Sequence, residues 1–547
     1  MSHENEQLNN PQIIDYLKNL DNRITRIESK LNIEPYASSP GNIADAASQK
    51  SSDSSIADMN IGEYWFANLG ILVLVIFFSF LLFKPYPEIN QFLPTVLGFT
   101  ITGCLLFLSR LWKNSYSNIS NYLFGSGLFL FYISAMRLFY FTPEPALENK
   151  VIEGILLLAI PVVIISLSVK KQSVPLNSLG FALVAFTGLR IGEPVLLFIL
   201  LTCCSAGFVI MYRYKNFDKL FYLLLGIIIT YLTHLIWFLN TPLFGNDIGI
   251  VSEPGFHIFF LLVYMIIYAA GLLTKTPSVL EEEFDISISL TNVILGLGLF
   301  TIVCLLTLKE YIFIHMILFS VISLILAILY HVKNKSKHST NLYALASAIT
   351  LSISLISYFG LPAAFTPLIW QSIIVIALAI WFESKSLVVS NFIIFLMILF
   401  AYLISTKSFG FTTVSIGFVG LLSARILNWQ KDRLTLQTEF LRNTYLIIAF
   451  ITIPFSLIEV LSIEYIGLSL IGLASLYYLM SGLLHNFKYR WMAHFTLLAS
   501  VIYILIFSLS EIDTIYQIIT LFALAVTLIS VSLFYTRMRL KSNTDKS

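Results

Sequence analysis

After Ile61 the chain is a near-continuous succession of apolar stretches, separated by short connections that carry most of its charge. About twenty residues at 1.5 Å each cross the ~30 Å hydrocarbon layer of a bilayer. Backbone groups in that layer find no water, so such a stretch must pair its own N–H and C=O groups as a helix. Composition agrees: 57% of the residues are hydrophobic and 12% charged, against roughly 25% charged in soluble domains. The sequence predicts an all-α integral membrane protein with about 18 transmembrane helices, the first over Trp65–Phe83 and the last over Ile515–Tyr535. The stretch Ser173–Arg190 is the weakest of the series, because it contains Pro175 and Gly180.

Four segments follow. Residues 1–33 carry apolar residues at Ile13, Leu17, Leu20, Ile24, Ile27 and Leu31, a 4-3-4-3-4 spacing that matches a coiled coil. Two readings stand for this segment: self-association through residues 13–31, giving a homo-oligomer, or a lone amphipathic helix lying on the bilayer. Residues 34–62, rich in Ser, Ala and Asp, form a flexible linker. The polytopic domain spans 63–538, and 539–547 form a short tail. No basic n-region followed by an apolar core opens the chain, so the first span is expected to act as an uncleaved anchor.

Lys and Arg set the orientation, since short cytoplasmic loops retain the positive excess. With a cytoplasmic N-terminus and eighteen crossings, the outer connections hold only Lys84, Lys150, Arg190, Lys309 and Lys407. Arg137 falls within a span, and the rest of the 33 Lys and Arg lie on the inner side. Both termini are therefore expected in the cytoplasm. A formal net charge of +2 with scattered cations offers no clustered basic surface for nucleic acid, and membrane lipids are the partner to expect.

The exits of spans two, six and ten read "SRLWKN", "YRYKN" and "YHVKN", a period of four helices. Hairpins ending in these motifs carry almost all the outer cations. The hairpins between them begin with Tyr122, Tyr222, Tyr343 and Tyr445. Tandem duplication explains this pattern; aromatic belts and the positive-inside bias are the competing explanation.

The segments "WFANLGILVLVIFFSFLLF" and "YRWMAHFTLLASVIYILIFSLSEIDTIYQIITLFALAVTLISVSLFYTRMR" resemble the bacterial predicted membrane proteins of domain of unknown function 2339. The layout is similar over nearly the whole chain; only these two segments are specific. "TGLRIGEP" at 187–194 departs from the Gly-rich turn expected there, by Arg190 and Glu193. The resemblance implies a multi-pass protein of the bacterial cytoplasmic membrane and supplies no activity.

Ionisable residues in or near the hydrocarbon layer are costly and are functional candidates by default. Arg137, Glu153, Arg190, Glu193 and Glu459 form the candidate intramembrane or interfacial polar site, with an ion pair between Arg137 and Glu153 relieving both. His234 and His257, with Glu253, could hold zinc, but without an HxxxH or HExxH pattern they read as interfacial histidines. The four cysteines read as buried reduced thiols, and the acidic run 281–285 as a solvated loop. No nucleophile elbow, phosphate loop or cofactor fingerprint occurs, so no catalytic, cofactor-binding or metal residue is assigned. An envelope scaffold or assembly factor is the leading functional expectation. A transporter or lipid translocator comes second, and a membrane-embedded transferase third.

Overall fold

A computed structural model describes residues 67–84, 86, 92–141, 149–214, 220–239, 254–273, 279–334, 336–406, 410–430, 439–484, 486–508 and 514–544. The heptad segment, the linker, Glu253 and the last three residues lie outside these. The described residues form eighteen α-helices and no strand. They are α1 (Ala67–Phe83), α2 (Phe92–Leu111), α3 (Ser117–Met136), α4 (Lys150–Lys171), α5 (Val174–Ile191) and α6 (Pro194–Tyr214). Next are α7 (Leu220–Phe238), α8 (Pro254–Leu272), α9 (Val279–Thr307), α10 (Ile312–Leu329), α11 (Lys337–Phe359) and α12 (Phe365–Trp381). The last are α13 (Lys385–Ser405), α14 (Phe411–Trp429), α15 (Glu439–Val460), α16 (Ile463–Leu484), α17 (Phe487–Tyr503) and α18 (Thr514–Thr544). Fifteen helices are long and apolar enough to cross a membrane.

The chain divides into two compact units, residues 1–134 and 135–547. In the first, Ser109 and Ser120 hydroxyls donate to each other's carbonyls at 2.8 and 2.7 Å, tying α2 to α3. In the second, one contiguous apolar core runs from Phe181 to Ala493. Within it α4 packs on α5, α8 on α9, α12 on α13 and α16 on α17. Large apolar side chains also remain exposed along the helices, such as Ile404 and Phe221, as expected where lipid replaces water as solvent.

Two expectations are corrected. The acidic run 281–285 lies within α9 rather than in a loop; Glu is a good helix former, and the positive end of the helix dipole favours acids in the first turns. Of the cysteines, Cys204 and Cys304 are buried, but Cys104 and Cys203 are exposed, because an apolar run presents part of its circumference outward. The doubtful fifth span is a full helix, and two-thirds of it is buried against protein. Its lower hydropathy reflects that protein environment. Pro175 sits at the N-terminus, where a missing N–H is harmless, and Gly192 closes the helix at φ +78°.

Candidate functional site

The charged cluster is assembled by an antiparallel pair and the turn before it. Asn149 caps α4, its Oδ1 accepting from the Val151 and Ile152 amides at 2.9 and 3.2 Å. This cap places Glu153 in the first turn, where the macrodipole favours a carboxylate. Arg190 lies in the last turn of α5, the end that favours a cation. The register of α4 against α5 brings these ends together. Thr187 Oγ1 lies 3.4 Å from the Leu157 carbonyl, and a Cβ on Gly154 would meet Ile191 Cδ1 at 3.5 Å.

Tyr140 joins the two charges. Its hydroxyl donates to Glu153 Oε1, and the Arg190 guanidinium carbon sits 3.2 Å from the centre of its ring, a close cation–π arrangement. Arg137 precedes Tyr140 by three residues on the turn that continues α3, where the Tyr140 amide bonds to the Met136 carbonyl. Residues three apart on such a turn are neighbours. Arg137, Arg190 and Glu153 are 1%, 6% and 7% exposed, a burial that charged groups reach only when others compensate them. Glu193 and Glu459 are exposed and do not join the cluster. Of the five residues expected, Glu153 and Arg190 are bridged and Arg137 lies beside the bridge. The bridging Tyr140 escaped the sequence reading, although an aromatic three residues after a lone Arg at a helix end was its visible signal.

Three buried asparagines form a second pattern that the sequence reading missed. On α5, Asn177 donates to Ser168 Oγ of α4 at 2.7 Å and accepts from the Tyr222 hydroxyl of α7 at 2.5 Å. On α9, Asn292 donates to the Met265 carbonyl of α8 and to the Tyr343 hydroxyl of α11, both at 3.0 Å. It also accepts from Tyr231 of α7 at 3.0 Å. On α13, Asn391 donates to Ser372 Oγ of α12 at 2.8 Å, while Tyr445 of α15 packs its ring on Phe392 and Phe395. The Tyr445 hydroxyl faces Ser372 and Asn391 without forming a well-aligned hydrogen bond. Beside Asn391, Ser372 and Gln371 lies a cavity of about 10 Å³, roughly one water in size. In α17 the same place in the helix order is taken by His494, bonded to the Tyr478 hydroxyl of α16. The scheme therefore recurs every four helices: an amide on one helix bonds the helix before it, and a Tyr comes from the helix two further on. Tyr222, Tyr343 and Tyr445 are buried, whereas Tyr122 is 49% exposed and takes no such part.

His234 and His257 are enclosed by protein, both 0% exposed. They bond to each other, Nε2 to Nδ1, at 2.9 Å. Phe198 stacks on His234 at 4.8 Å, Tyr264 stands edge-on to it at 5.8 Å, and Phe238 meets His257 at 5.3 Å. Among the described residues no group of three His, Cys, Asp or Glu could hold a metal ion.

The described residues, an all-helical array with fifteen helices long and apolar enough to cross a bilayer, have the build of a multi-pass membrane protein. No family model, no curated protein and no solved structure matches it.

Proposed function

We propose that the chain is a transporter or lipid translocator of the bacterial cytoplasmic membrane, with both termini in the cytoplasm and its helices contacting lipid. The observation that carries this reading is the bridge Arg190–Tyr140–Glu153, two buried charged groups at the facing ends of α4 and α5 joined by a tyrosine. Ionisable residues within the hydrocarbon layer are rare and mark substrate or ion pathways. The cation distribution supports the orientation, and the resemblance to the family of domain of unknown function 2339 supports the compartment.

A second reading, an envelope scaffold or assembly factor, is favoured by the recurrent amide–tyrosine contacts, which tie successive four-helix units into an array. We take these units to be tandem duplications. Docking would then fall to residues 13–31 through a homo-oligomeric coiled coil. Complementation separates the two readings. In cells lacking the chain, transport requires that Glu153→Gln fails to restore the envelope phenotype at normal expression, while a chain without residues 1–60 restores it. The reverse pattern establishes the scaffold and overturns transport.

A further inference from the structure

The His234–His257 pair has a property that packing does not explain. Their shared bond uses one nitrogen of each ring, and the two outer nitrogens, His234 Nδ1 and His257 Nε2, are buried with no hydrogen-bond partner. Buried polar atoms are nearly always paired, so each exception requires a reason. A metal is a poor one: among the described residues no third His, Cys, Asp or Glu stands with the pair to complete a ligand set.

A neutral imidazole carries a proton on one nitrogen and a lone pair on the other. If His234 donates the shared bond, its Nδ1 is bare and His257 holds a proton on Nε2. If His257 donates, the outer roles exchange. The two states differ in proton positions alone.

We propose that His234 and His257 form a proton-exchange site. A hydronium ion delivers a proton to the bare outer nitrogen of one ring, the shared proton crosses the 2.9 Å bond, and the outer N–H of the second ring releases its proton to water or a hydroxyl. Each ring gains one N–H bond and loses one, and both end neutral.

Placement gives the site a direction. His257 is the fourth residue of α8 and His234 lies four residues before the end of α7, so the pair sits about one turn in from the helix ends. One turn deeper on α7, Thr230 Oγ1 is 2.8 Å from the Tyr268 hydroxyl and 3.4 Å from Ser205 Oγ, and all three residues are 0% exposed. Hydroxyls of this kind can accept and pass on a proton. A further turn on, at Gly226, the stripe closes: the Phe208 ring packs so near that a Cβ would lie 2.6 Å from its Cγ. An aromatic seal at this level suits a proton taken up and returned rather than a leak. The site deepens the transport reading by naming the proton as the coupled ion.

Nitrogen NMR of the full-length chain, labelled with ¹⁵N-histidine and held in lipid nanodiscs, tests the site. Substitution assigns the signals of the eight histidines. At neutral pH both rings of the pair should give ring-nitrogen shifts averaged between protonated and bare values, and solvent deuterium should enter the outer nitrogens despite complete burial. His257→Asn should leave His234 in one fixed tautomer. Static single tautomers in the unmodified protein, ring protons that persist in heavy water, or signals that move on adding a metal chelator would each overturn the proposal. The unmodified protein decides the matter even where His257→Asn fails to fold. A static pair removes the proton site alone, whereas failure of the Glu153→Gln complementation pattern removes the transport reading.

Discussion

Single atoms separate the three asparagine sites from one another. Tyr222 donates to Asn177, so Tyr222→Phe leaves a buried amide oxygen without its donor and should lower stability by roughly 0.5–2 kcal/mol. The Tyr445 hydroxyl forms no well-aligned bond, so Tyr445→Phe should stay within about 0.5 kcal/mol of the parent. Equilibrium unfolding in mixed micelles measures both, and equal losses would mean that Tyr445 is bonded in the bilayer. The charged cluster obeys the same asymmetry between pairing and orphaning. Its Glu153 and Arg190 were legible as costly residues at helix ends, but a lone Arg in a sequence does not announce which ring lies beneath it. Tyr140 became visible only when the α4–α5 register placed both charges within its reach.

For the helices, hydropathy located all eighteen and misjudged the character of one. α5 looked weak because it contains Asn177, Pro175 and Gly180, features that penalise a helix surrounded by lipid. It is instead enclosed by neighbours, which supply a partner for the amide and accept the small residue. A close approach of two helices occurs where α6 meets α7. Gly226→Ala must displace the Phe208 ring, and overpacking of this kind costs about 1–3 kcal/mol. Gly255→Ala, with nothing within 4 Å of the new Cβ, serves as the control. A comparison of melting temperatures in detergent checks this: Gly226→Ala should melt several degrees lower, and parity with Gly255→Ala would show that α6 and α7 are not in contact at that level.

Across the whole molecule, the four-helix period appears twice, once in sequence and once in hydrogen bonds. The Lys-Asn exits that mark it follow α2, α6 and α10, while the asparagines that repeat it in space lie on α5, α9 and α13. Reporter fusions after Lys113, Lys215, Lys333 and Lys431 should all read cytoplasmic, because an even number of crossings separates them; a periplasmic signal at any one breaks the topology. The sequence by itself determined the helical class and the eighteen helices of the described residues, since these follow from transfer of apolar groups between water and hydrocarbon, residue by residue. Only the tertiary structure decided which polar groups meet: the Tyr140 bridge, the paired imidazoles and the asparagine contacts join residues 9 to 61 positions apart. A hydrogen bond depends on ångström-scale register between helices, and hydropathy carries no record of that register.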